Sequence, residues 1–203
     1  MSSEILNQFE LDSLHHVLDA RIVDRTSFSL SSLLNEQFKH KIKSTHKQIS
    51  EIDIMKRLSN DLILCSVFLR GEGDIRIGIL YTMPDIDAKR IAAKLLCVDK
   101  IESLDELGKS AISEVGNIMT GSFFNALSDH TGLKIELSTP DFAITSSGSI
   151  LEPHAAEFLN TPNDMVTQVE LEGDESGIVV HMLIIQDHDN ARKLLNTKGV
   201  TVL

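Results

Sequence analysis

The fold class the sequence predicts is α/β: a duplicated α/β unit whose two copies pack about a pseudo-twofold axis and share one antiparallel or mixed sheet packed with helices. Three observations predict it. Residues 61–90 and 164–193 follow one plan, and a shift of 103 positions sets Asp61 on Asp164, Ile75 on Ile178, Ile77 on Val180 and Leu80 on Leu183. A helical pattern and then extended chain precede each block. No Gly/Ser/Pro-rich linker separates the halves, so a single domain over 1–203 is expected, with pseudo-repeats at about 1–100 and 101–203.

The elements follow in order. Residues 9–38 carry helical spacing and 40–50 are extended, with "KHKIK" at 39–43 as a solvated strand or sheet edge. Within 61–90 an apolar strand, the turn GEGD, a second β-rich run and a short amphipathic helix succeed one another. A helix is then predicted from about Leu104 to Ser128, broken near Gly121. "GLKIELS" and "DFAITSS" follow as strands with Pro140 between them. The block at 164–193 repeats the strand, turn, strand and helix of the first.

With 203 residues, 42% of them hydrophobic and 24% charged, the chain has the means to bury a sizeable core. A formal charge of −11 argues against an electrostatic nucleic-acid binder. The longest apolar run, Leu62 to Leu69, is too short to span a membrane, and MSSEILNQFELD has no basic start or long apolar run of a secretory leader; a soluble cytoplasmic protein is expected, with no membrane insertion. Cys65 and Cys97 sit in apolar surroundings and read as small buried hydrophobes. His15 and His16 are consecutive and point to two faces of a helix, and His181 and His188 lack cysteine partners or a ligand spacing, so no metal site is expected. Gly116 to Gly121 has the glycine spacing of a phosphate loop, but Ser122-Phe123 stands where Lys-Ser/Thr is required.

The chemistry gathers in "SAISEVGN", residues 110–117. Gly116 and Asn117 are poor helix interiors, Gly by roughly 1 kcal/mol against Ala. On a helical wheel Leu104, Leu107, Ala111, Val115, Ile118 and Ser122 make a buried stripe, while Ser110, Ser113, Glu114, Asn117 and Gly121 fall on another face. Glu114 and Asn117 lie one turn apart and point the same way. A carboxamide has no useful pKa but can orient a water, as a Gln does in GTPases, and a surface carboxylate can fix a partner's lysine. Gly116 and Gly121 would let a partner approach closely. On spacing alone the pair reads first as a solvated face, with Asn117 serving a bend.

Ser110-x3-Glu114-x2-Asn117, then 22 residues, then Pro140, resembles the [D/S]-x3-E-x2-N-x22-P signature of the CheC/CheX/FliY phosphatases of chemotaxis, with all four fixed positions matched. The resemblance implies removal of the phosphoryl group from the aspartate of a phosphorylated CheY-like response regulator. Asn117 would orient the attacking water and Glu114 would bind a regulator lysine, with Ser110, Ser113, Gly116, Gly121 and Pro140 at the contact. It implies no cofactor or covalent nucleophile of the chain's own, the divalent metal (Mg) being supplied by the regulator. It also extends the candidate partners to a CheD-type receptor deamidase. A catalytically weak binding module of the same fold is the alternative, and a flagellar-switch component like the FliM middle domain is a third. In the first half one register sets His16, Asp19 and Ile42 at the Glu, Asn and Pro positions; another, shifted by one, sets Val17 and Ala20 at the first two. Neither restores the motif, so at most one active site per chain is expected.

Overall fold

The computed structural model describes residues 5–46, 62–146 and 164–196. The first half opens with α1 (Gln8–Val17), a π-helical segment (Leu18–Val23) and α2 (Asp24–Leu34). Then come β1 (Phe38–His46), β2 (Ile63–Gly73), β3 (Ile77–Pro84) and α3 (Asp85–Leu95). The second half has α4 (Glu106–Thr131), β4 (Ile135–Leu137), β5 (Asp141–Ser146), β6 (Asp164–Gly173), β7 (Val179–Asp187) and α5 (His188–Leu195). Residues 47–50, the last of the segment expected to be extended, lie outside the described residues.

The seven strands among the described residues join one antiparallel sheet in the order β1-β6-β7-β3-β2-β4, with β5 pairing β2 alongside β4 further along the same strand. Exchange β2 with β6, β3 with β7, and β1 with the β4/β5 pair, and the order reads the same from the other end. The sheet is therefore symmetric about the β3–β7 pairing. Leu80 stands opposite Leu183 at its centre, the two residues that the 103-position shift also superposes. Each half lends its first strand to the other half's hairpin: β1 joins β6, and β4 and β5 join β2. "KHKIK" lies on the edge strand β1.

Alternate strand residues explain the core. Cys65, Val67 and Leu69 of β2, Ile77, Ile79 and Tyr81 of β3, and Val180, Met182 and Ile184 of β7 face one way and join the core cluster with the helices. The intervening Phe68, Leu80, Leu183 and Ile185 are buried too, which is why β2, β3 and β7 are near-continuous apolar runs. Burial, with the Asp85 carboxylate beside it, pushes the Cys65 thiol up to about 12. Cys97 departs from expectation: it is exposed, at φ 53° just past the end of α3, where the chain must reverse and leaves its side chain in solvent.

The helix expected to break near Gly121 runs unbroken from Glu106 to Thr131. It begins at Asp105, whose carboxylate accepts from the Gly108 amide at 2.9 Å, and ends at Gly132 with φ 74°. Burial of Met119, Thr120, Phe123 and Phe124 on both sides of Gly121 outweighs the propensity cost of that one glycine.

Candidate functional site

The position of α4 over the sheet decides what its outer face can do. Three contacts set the helix on β2 and β3. A Cβ built on Gly116 would stand 2.6 Å from Val67 Cγ1, so only a glycine lets the helix sit this close to β2. Thr120 donates to the buried Tyr81 hydroxyl at 3.3 Å, and burial raises that phenol well above its usual range. Phe124 closes over Gly71, where a Cβ would meet its ring at 2.4 Å.

This seating corrects two expectations. The buried stripe is Ile112, Val115, Gly116, Met119, Phe123 and their neighbours, not the one through Leu107, Ala111, Ile118 and Ser122. Leu107 is 61% exposed, and Ala111, Ile118 and Ser122 are half-buried. Ile112, Met119 and Phe123 offer more apolar volume than Ala111 and Ser122, and Gly116 and Thr120 permit the close approach, so the helix turns that side inward. Gly116 accordingly packs on the sheet and offers nothing to a partner. Gly121 does lie on the outer side, where a Cβ would find no atom within 4 Å.

Ser110 and Glu114 are exposed on α4; Ser113, Asn117 and Gly121 are half-buried beside them. Among the described residues, neither the Glu114 carboxylate nor the Asn117 carboxamide has a hydrogen-bond or ion-pair partner. That separates the pair from the ionised groups nearby, such as Lys109, which pairs with Glu106 at 2.9 Å. Pro140 is half-buried immediately before β5, in the gap between β4 and β5, both of which pair with β2. The proline has no N–H to give to a ladder, and it stands where the second half's edge is interrupted. Among the described residues no three His, Cys, Asp or Glu side chains are arranged to hold a metal.

The first half shows how its counterpart differs. Buried Leu14, Val17 and Leu18 match Ile112, Val115 and Gly116 at a shift of 98, while Ile22, Val23, Thr26, Ser27 and Leu30 match Met119, Thr120, Phe123, Phe124 and Leu127 at a shift of 97. The two registers that the sequence allows are both present, one on each side of the π segment, which takes up the one extra residue. His16 is exposed at the place of Glu114. Asp19 lies within the π segment, 3.2 Å from His40 Nε2 on β1, and is already engaged. His15 hydrogen-bonds Thr45, and burial lowers its pKa against the raising influence of Asp12 and Asp19. Helix geometry and side-chain identity both differ at this counterpart. A signal for the π segment was present in the sequence: Leu14, Leu18, Ile22, Thr26, Leu30 and Leu34 recur every four residues, a longer period than an α-helix can keep on one face.

The CheC-like family model matches residues 107–144, a span that holds Glu114, Asn117 and Pro140. The chain is 28% identical over 149 residues to the CheY-P phosphatase CheC of Bacillus subtilis, covering 70% of this chain and 71% of that protein. Its fold is similar to that of Thermotoga maritima FliY, with a TM-score of 0.73, 18% identity and coverage of 94% and 96% of the two chains. It is also similar to a chain of the Borrelia burgdorferi CheX-CheY-BeF3-Mg complex, with a TM-score of 0.54, 20% identity and coverage of 91% and 100%. No helix among the described residues is long and apolar enough to cross a membrane. In its matched helix and its doubled sheet the chain is similar to proteins of the CheC-like family.

Proposed function

We propose that the chain dephosphorylates a phospho-aspartyl CheY-like response regulator, using Glu114 and Asn117 of α4. One observation carries this reading: a carboxylate and a carboxamide one turn apart on the outer face of a helix, both without partners among the described residues, at the spacing to Pro140 that the family motif requires. The likeness to the Bacillus subtilis CheY-P phosphatase supports the reaction, and the likeness to the CheX-CheY complex supports the partner.

In this mechanism α4 enters the regulator's phosphorylation site. The Asn117 carboxamide accepts from and donates to a water and holds it in line with the acyl phosphate. The water oxygen bonds to phosphorus, the P–O bond to the aspartate breaks, the carboxylate leaves with the bonding pair, and the water's protons leave with the inorganic phosphate or pass to solvent. Glu114 pairs with a regulator lysine and fixes the docking register. Ser110, Ser113 and Pro140 border the contact, and Gly121 leaves room for the approaching surface. A divalent metal held by the regulator would supply neutralisation of the phosphoryl charge, and this chain would need to bring no cofactor of its own. The engaged Asp19 and the π segment make the first half silent in turnover.

The test is phosphate loss from an acyl-phosphorylated CheY-like regulator of the same organism, with and without the protein. Wild type should accelerate it, and Asn117→Ala should lose most of that acceleration, on the order of 10²-fold, with its melting temperature unchanged. Acceleration that survives in Asn117→Ala overturns the assignment. Binding of the regulator without acceleration would favour the non-catalytic module, and a CheD-type deamidase would then be the partner to test.

A further inference from the structure

The outer face of α4 is not uniformly polar. Taking Glu114 as its centre line, Leu107 lies two turns earlier within about 40°, Ile118 one turn later within about 40°, and Ala111 about 60° to the same side. Ser110, Ser113 and Asn117 lie to the other side. Leu107 is 61% exposed, and Ala111 and Ile118 are half-buried, so a strip of apolar surface borders the carboxylate along the helix. Leu107 stands roughly 10 Å from Glu114 along the axis, by the rise of an α-helix.

We infer that Leu107, with Ala111 and Ile118 beside it, is the specificity-determining docking strip for the phosphorylated regulator, resting on the function proposed above. The occupant follows from continuity with the Glu114–Asn117 pair. A partner whose lysine meets the unpaired Glu114 and whose acyl phosphate meets Asn117 must also cover the strip on the opposite flank of the carboxylate. It therefore carries an apolar patch next to that lysine, on the side away from its phosphorylated aspartate. Regulators with a charged or polar patch there leave Leu107 wet or meet it with an unpaired group, and bind less well. Leu107 touches neither water nor phosphate in this arrangement, so it sets affinity and choice of partner and not the chemical step.

The fold supplies an internal control. Phe9, 98 positions before Leu107, is 59% exposed on the first turn of α1, but its face leads to His16 and the π segment instead of a Glu/Asn pair. The experiment titrates a CheY-like regulator, locked with beryllofluoride and Mg, against wild type, Leu107→Ser, Leu107→Met and Phe9→Ser, and measures KM and kcat on the phosphorylated regulator alongside. Leu107→Ser should bind about tenfold more weakly and raise KM similarly at unchanged kcat, with an unchanged melting temperature. Leu107→Met should restore affinity, and Phe9→Ser should match wild type. Unchanged affinity in Leu107→Ser, or an equal loss in Phe9→Ser, overturns the inference. If wild type binds without hydrolysing, the phosphatase reading alone fails, and the Leu107 comparison still decides the docking strip. If wild type does not bind, the strip has another occupant and the inference fails.

Discussion

Gly116 and Gly121 stand five residues apart on one helix and do opposite work. At Gly116 the helix touches β2, and a methyl group would stand 2.6 Å from Val67 Cγ1 and 3.1 Å from its Cβ. Gly116→Ala should therefore destabilise by about 1–3 kcal/mol through overpacking, although Ala is the better helix former. Gly121→Ala meets nothing within 4 Å and should stabilise by up to about 1 kcal/mol. Thermal unfolding separates them, at about 2–4 °C per kcal/mol for a chain of this size. A Gly116→Ala variant as stable as wild type would mean that α4 does not sit so close to the sheet. For Glu114 the expected change is in binding: Glu114→Lys should weaken regulator affinity about tenfold or more with folding intact, because like charges would meet at the contact. Equal affinity in a titration would remove its docking role. The motif spacing was legible in the sequence because four fixed positions carry it. The role of Gly116 was not, because a glycine that admits a partner and one that admits a strand look alike until the strand is in place.

At the scale of elements, the π segment is the feature that most separates the two halves. Leu14, Leu18, Ile22, Thr26, Leu30 and Leu34 are all buried at a strict four-residue interval. An α-helix turns about 40° too far at each such step, so the face would drift away from the core by about 200° over five steps. One π-type insertion takes up part of that drift and rephases α2 onto the sheet. Deleting exposed Ala20 should convert the segment to regular α-helix while keeping Leu14, Val17 and Leu18 on the core side, together with the residues from Ile22 onward. The melting temperature should fall by no more than a few degrees. Deleting exposed Asn125 from α4, which has no π turn to absorb the change, would throw Ala126, Leu127 and the Gly132 cap out of phase and should unfold the protein or lower it by well over 10 °C. Comparable losses from the two deletions would count against the π segment as an insertion. Strands β2, β3, β6 and β7 and the α3 and α5 helices were legible, since the 61–90 and 164–193 blocks repeat one pattern. The inward face of α4 was misjudged because small and large residues were counted alike, and the core selects for volume.

At the scale of the whole molecule, the doubled sheet is fastened differently on its two sides. Asp74, in the β2–β3 turn, accepts from the Lys134 amide at 2.8 Å and so ties the first half's hairpin to the second half's chain. On the other side, Glu36 follows α2, buried to 6% exposure, and reaches the β6–β7 turn. Its carboxylate accepts from the amides of Glu175 at 2.9 Å and Ser176 at 2.6 Å and from Lys94 of α3 at 2.6 Å. In the second half, at the shift of 97 that governs this stretch, Leu133 takes the place of Glu36, so a buried carboxylate is not repeated at that position. Burial alone would push the Glu36 carboxyl up, but the Lys94 ammonium and the two amides overcome it and hold the group at about 2. A carboxyl lowered in the folded state contributes stability that is fully present above its unfolded value near 4.5 and is lost as pH falls towards about 2. Glu36→Gln removes that contribution. Lys94, 40% exposed, can turn to solvent when its partner is gone, so the cost at neutral pH should be about 1–3 kcal/mol, below that of a fully buried broken pair. The measurement is denaturant unfolding of both proteins from pH 7 down to pH 2.5. The wild-type advantage should hold to about pH 5 and shrink through the window below 4.5. A difference that stays constant across that window would mean that Glu36 acts by shape and hydrogen bonding alone, and that its charge does not fasten the second hairpin to the first half.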